Sequence, residues 1–153
     1  MGRHIPPLIE KKVSMLPTTL NTNEVKDSAG AEVEFTRLST SERALVFAKV
    51  GESPAYPVRL KVSHEEVGDG TNKRRRSLVR LDYNLAGQVD TVKACRVSVY
   101  AVADIPIGNL TALTVPATAI AHLTSFLASR GASTTILYDG TGCGAEALIN
   151  GSL

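Results

Sequence analysis

Seven of the chain's 17 lysines and arginines fall between Arg59 and Arg80. They are Arg59, Lys61, Lys73, Arg74, Arg75, Arg76 and Arg80. Two strand-compatible runs, RLKVSHEE and KRRRSLVRLDY, flank the turn-forming segment VGDGTN. Cations on neighbouring strands can neutralise the phosphates of a nucleic acid, and arginine can also stack on unpaired bases. Side chains of a strand alternate between its two faces. Arg59, Lys61 and Ser63 therefore share one face of the first run, with Leu60 and Val62 opposite. In the second run Arg74, Arg76, Leu78, Arg80 and Asp82 share a face, and Ser77, Val79, Leu81 and Tyr83 lie opposite. The two strands present one mostly basic and one mostly apolar surface. Few aromatics fall on the basic side, which favours phosphate contacts over an aromatic stacking platform.

Other chemistry is weakly signalled. His64 reads as a packed or hydrogen-bonded structural histidine, and His122 as a helix-surface residue. Glu65 and Glu66 border the hairpin turn, where solvated charges are ordinary. No nucleophile elbow, phosphate-binding glycine loop or metalloprotease motif occurs, so no enzyme and no cofactor are expected. The two cysteines lack metal-ligand spacing. Cys95 reads as a small buried residue within a strand. Cys143 lies in the glycine-rich segment 139–144, where an exposed thiol can cross-link neighbouring subunits.

These residues need a sheet to hold them. At 153 residues, with 43% apolar content and a net charge of +2, the chain suits one globular domain. Basicity is local: residues 59–96 carry nine of the 17 cations, whereas Glu24, Asp27, Glu32, Glu34 and Glu42 cluster earlier. No apolar run of membrane-spanning length is present, and the N-terminus lacks a signal-peptide core. Synthesis in the cytoplasm is expected.

Residues 1–15 read as an N-terminal extension, with Pro6-Pro7 opposing regular structure. Leu16–Lys26 is a weak strand, Asp27–Gly30 a turn and Val33–Leu38 a second strand, forming a hairpin. Ser39–Ser41 reads as another turn, and Glu42–Val50 as a strand or short helix. After the basic hairpin, Asn84–Gln88 is a short connection and Thr91–Ile105 a long strand. In that strand Cys95, Val97, Val99 and Ala101 share one face, and Arg96, Ser98 and Tyr100 the other. The period then changes. From Thr114, a plausible N-cap before Pro116, Ala119, Ile120, Leu123, Phe126 and Leu127 follow helical spacing. Arg130 and Gly131 suit its end. Ala145–Ile149 is a candidate second helix. The fold class is α+β: an N-terminal β-hairpin and antiparallel sheet, then a C-terminal amphipathic helix. One helix covers little of a broad sheet, so an obligate dimer is expected to complete the core.

The segments AYPVRLKVSHEE, KRRRSLVRLDY, ACRVSVYAVADIP and VPATAIAHLTSFLAS, in this order, make the chain resemble the coat proteins of single-stranded RNA bacteriophages, the leviviruses. The resemblance spans roughly residues 16 to 150, so residues 16–153 read as a single coat-protein domain. It implies a homodimer with one continuous sheet, helices packed over the partner, and an icosahedral shell around single-stranded RNA. It also implies a virion location after assembly in the bacterial host cytoplasm, and binding of an RNA hairpin as a translational repressor. The family's RNA-facing positions fall here on Arg59, Lys61, Ser63, Arg76, Leu78, Arg80 and Asp82, with Arg96 and Ser98 on the long strand. The basic-face reading adds Arg74. The chain departs from the family in its N-terminal extension and in the short connection Asn84–Asp90, which carries no cysteine. Any covalent link between subunits then falls to Cys143. Arg59 and Lys61 are more basic than the small polar residues of some relatives, which favours general RNA packaging over a specific hairpin. The competing reading is a small dimeric RNA-binding regulatory or ribosome-associated protein.

Overall fold

The computed structural model describes residues 15–128 and 137–152. Six antiparallel strands form one sheet in sequence order: β1 (Thr19–Leu20), β2 (Phe35–Ser41), β3 (Ala44–Lys49), β4 (Val58–Val67), β5 (Arg74–Ala86) and β6 (Ala94–Ile105). Two helices follow, α1 (Thr114–Ala128) and α2 (Cys143–Asn150). Consecutive strands are neighbours in the sheet, and antiparallel pairing permits the short connections between β2 and β3 and between β4 and β5. The tightest part of the basic hairpin is at Gly68, with φ of 81°, where a Cβ would lie 2.7 Å from the Asn72 carbonyl oxygen. Only glycine meets both conditions.

The N-terminal hairpin forms, but its first strand is shorter than Leu16–Lys26. Thr22 N–H donates to Glu24 at 2.7 Å, and Asn23 takes a left-handed conformation with φ of 66°. This local turn ends β1 after Leu20. Ser39–Ser41 is strand rather than turn. These residues pair with Ala44–Val46, and the reversal is confined to Glu42 and Arg43. A two-residue hairpin loop needs no more chain than that, and Thr40 suits a strand. The ladder absorbs a register shift between Arg37 and Ser39. β3 is a strand rather than a helix, and β6 begins three residues later than Thr91. Arg130 and Gly131 lie outside the described residues.

The core is small and one-sided. Leu20, Phe35, Phe47 and Val58 are buried, with Val25, Val33, Leu45, Leu60 and Leu81 packed around them. This cluster lies under β1–β4. Further along the same face the apolar side chains of β5 and β6 are open, with Val79 46%, Val97 55% and Val99 57% exposed. Helix α1 does not cover them. It packs on α2, where the buried Gly144 accepts Phe126: a Cβ there would stand 2.5 Å from the ring. Ile120, Leu123 and Phe126 remain about half exposed. An open apolar groove of about 380 Å³ separates Val102–Pro106 from Val115–Leu123. A domain of this size ordinarily buries about 70% of its unfolded surface, so a single copy is underpacked.

Candidate nucleic-acid interface

The β4–β5 register places the predicted residues on one face. Arg59 pairs with Asp82, Lys61 with Arg80, Ser63 with Leu78, and Glu65 with Arg76. β6 extends the row through Ser98 opposite Asp82, Tyr100 opposite Arg80, Val102 opposite Leu78 and Asp104 opposite Arg76. Arg96 lies opposite Asn84 and donates to its Oδ1 at 3.0 Å. On the other flank, Ala44, Val46 and Ala48 of β3 pair with Ser63, Lys61 and Arg59. The basic face is thus a band two to three strands wide, bordered by the small apolar residues of β3.

Carboxylates are threaded through that band. Glu52, from the loop between β3 and β4, accepts Arg59 Nη1 on both oxygens at 2.5 Å and the Val58 N–H at 2.7 Å. Asp82 accepts Arg80 Nε at 2.9 Å on each oxygen and the Ser98 hydroxyl at 2.5 Å. Asp104 accepts Arg74 Nε at 2.9 Å and lies 3.6 Å from Arg76 Nη2. Ser98 donating to Asp82 and the Arg80 bond hold that carboxyl below its ordinary range. Arg74 does the same for Asp104, and Arg59 for Glu52. Among the described residues of the face, Lys61 has no ion-pair partner, and Arg96 is bonded only to the neutral amide of Asn84.

The remaining cations of the hairpin behave differently. Lys73 and Arg75 both pair with Glu66, at 2.8 and 2.9 Å, and Arg75 and Glu66 are register partners on the face opposite the basic band. Hydrogen bonds from Lys73 and then Arg75 hold the Glu66 carboxyl down at about 2. Adjacent Glu65 and Glu66 point to opposite faces, so they do not act as a carboxylate pair.

The ladder puts Arg59, Lys61, Ser63, Arg74, Arg76, Arg80, Asp82 and Arg96 on one face of the sheet, as alternation predicts. The sequence reading missed Asp104, whose place follows from continuing the count along β6 past Tyr100. No pattern announces Glu52, a loop residue. His64 Nδ1 lies 2.8 Å from Ser77 Oγ, the hydrogen-bonded structural role expected of it. Cys95 is exposed rather than buried, because β6 is the sheet edge and its apolar face is uncovered. Cys143 is exposed at the start of α2. Among the described residues no cluster of three metal-ligating side chains occurs, and no helix is long and apolar enough to cross a membrane.

No family model and no curated protein matches the sequence. Solved structures do. The coat protein of bacteriophage EMS014 superposes with a TM-score of 0.63 at 15% identity, over 92% of this chain and 98% of that one. The chain has the fold of a bacteriophage coat protein. The virus-like particle of bacteriophage AVE019 matches with a TM-score of 0.58 at 11% identity, over 91% of this chain and 98% of that one. The virus-like particle of Beihai levi-like virus 32 matches at 0.52 and 18% identity, over 62% and 75% respectively. At these identities the fold is shared while most side chains are not.

Proposed function

We propose that this chain is a structural capsid protein that dimerises, assembles into a closed shell and packages single-stranded RNA on the band carrying Arg59, Lys61, Arg80 and Arg96. The carrying observation is the pairing of two uncovered apolar surfaces in one chain: the β5–β6 face, with Val79, Val97 and Val99, and the α1 stripe of Ile120, Leu123 and Phe126. Contiguous exposed apolar surface of this kind marks an interaction site. A second copy supplies the complementary helix for each sheet. Burial of such side chains favours association by about 25 cal/mol per Å² of apolar surface. The coat-protein fold supports extending that dimer into a shell. The cationic band on the opposite face then meets the enclosed polyanion, and the protein's place is the virion.

Expression of the chain alone, followed by electron microscopy and absorbance at 260 and 280 nm of the purified material, tests this reading. Uniform hollow particles containing nucleic acid are expected. A discrete dimer that binds RNA without forming particles would favour the regulatory reading, and a stable monomer at every salt concentration would end the capsid reading.

A further inference from the structure

Asp82 lies among the cations of the band, bonded to Arg80 and Ser98. Its two carboxylate oxygens are each 2.9 Å from Arg80 Nε, and Oδ1 accepts the Ser98 hydroxyl at 2.5 Å. Arg80 Nη2 also reaches Ser98 Oγ, at 3.4 Å, closing a three-residue ring across β5 and β6. Arg59 is the register partner of Asp82 on β4, and Arg96 lies two residues along β6 from Ser98. A carboxylate and a phosphodiester offer a guanidinium the same target, two oxygens sharing one negative charge. Glu52 is fastened by the Val58 N–H as well as by Arg59, and Asp104 lies at the turn end of the sheet between two arginines. Asp82 is the anion in the middle of the band.

We propose that Arg80 and Ser98, flanked by Arg59 and Arg96, form a site for one backbone phosphate of single-stranded RNA, which Asp82 occupies in the free chain and vacates when RNA binds. This rests on the RNA-packaging reading. The consequence is selectivity for connected phosphates. A lone phosphate entering the site only exchanges one ion pair for another. A strand whose neighbouring phosphates engage Lys61, which holds no ion pair among the described residues, and Arg96, hydrogen-bonded only to a neutral amide, gains from those cations while it displaces Asp82. The face therefore holds polynucleotide in preference to inorganic phosphate or mononucleotides.

Fluorescence anisotropy of a short labelled oligouridylate, titrated with the full-length chain over a salt series, tests the site. Asp82→Asn keeps the side-chain volume and removes the charge. It should tighten binding several-fold and steepen the salt dependence by about 0.7 in log–log slope, the value of one further single-strand phosphate contact. Asp90→Asn, in the β5–β6 loop, changes net charge equally and should gain less. Arg80→Ala should cost more affinity in the Asp82→Asn chain than in the wild type, and Ser98→Ala should remove part of the Asp82→Asn gain. In the wild-type chain, the NMR signal of Arg80 Hε should move on titration, a readout that does not depend on how the variants fold. Equal gains from Asp82→Asn and Asp90→Asn, weaker binding by Asp82→Asn, or an unmoved Arg80 signal would each overturn the site while leaving RNA binding intact. Absence of RNA binding by both wild type and Asp82→Asn would overturn the packaging reading and the site together.

Discussion

Lys61 and Arg80 face one another across the β4–β5 ladder, yet only Arg80 is held by a carboxylate. Two cations that alternation makes equivalent are therefore unequal in what they can offer an incoming anion. Under the proposed RNA-packaging reading, Lys61 would meet a phosphate with its full charge, whereas Arg80 would first have to part from Asp82.

Lys61→Ala should accordingly weaken binding of single-stranded RNA more than Arg80→Ala does in the wild-type chain. Loss of the Lys61 contact should lower the salt slope by about 0.7. Anisotropy titrations at several salt concentrations compare the two. A larger loss from Arg80→Ala would show that the Asp82 pair is no obstacle to phosphate.

Acid should act on the hairpin turn late. A carboxyl whose folded-state pKa is depressed stabilises the fold above its unfolded value, and that contribution fades as pH falls toward the folded value. For Glu66 the window runs from 4.5 down to about 2. Thermal melts should show the wild type losing stability progressively across this window, and Glu66→Gln losing less over the same range while starting lower at neutral pH. Parallel curves for the two chains would remove Glu66 from the acid response. Because Glu66, Lys73 and Arg75 are solvent-accessible, the effect is small, as for other surface ion pairs.

Gly144 receives the Phe126 ring with no room for a methyl group. Gly144→Ala should force α1 and α2 apart and destabilise the fold by about 1–3 kcal/mol, the usual cost of overpacking. A denaturant melt measures this. An unchanged midpoint would mean the helices slide freely on one another.

Leu123→Asp should separate folding from association. Leu123 is already half exposed in the single chain, so a charge there leaves the sheet formed, while the α1 stripe can no longer be buried against a partner. Sedimentation should shift from dimer or particle to monomer, with far-ultraviolet circular dichroism retained. Normal dimers would remove α1 from the interface.

Arg37 ties the start of the described chain to the sheet. Its Nη2 donates to the carbonyls of Leu16 at 2.6 Å and Pro17 at 3.0 Å, and its guanidinium lies 5.9 Å from the centre of the Phe47 ring. Arg37→Met retains apolar contact and deletes both donors. It should cost about 1.5–3 kcal/mol, the range of hydrogen bonds to charged groups. It should also speed amide exchange at the Arg37 N–H, which donates to the Thr18 carbonyl. Unaltered exchange would show the backbone pairing stands without the side chain.

Much of this protein was written in alternation. The period of two between Arg59 and Ser63 and between Arg74 and Asp82 assigns each side chain to a face, and antiparallel pairing keeps those faces aligned. The helical spacing of Ile120, Leu123 and Phe126 likewise marks α1 and its apolar stripe. Strand ends were less legible. Ser39–Ser41 has the composition of a turn, but the ladder to β3 recruits it, and β1 stops where Asn23 turns left-handed. The exposure of Cys95 was hidden too, since burial depends on whether anything covers β6.

The sequence by itself determined which residues share the basic face and that the sheet needs more cover than its own helix supplies. Both follow from local periodicity and from the ratio of apolar surface to core. Only the tertiary structure decided the state of the cations on that face. Glu52 reaches Arg59 from a loop, Asp104 reaches Arg74 across 30 residues of chain, and Ser98 closes the ring around Asp82 from a neighbouring strand. Such pairs depend on register, loop path and rotamer. These are set by the folded ladder as a whole and by no short stretch of sequence.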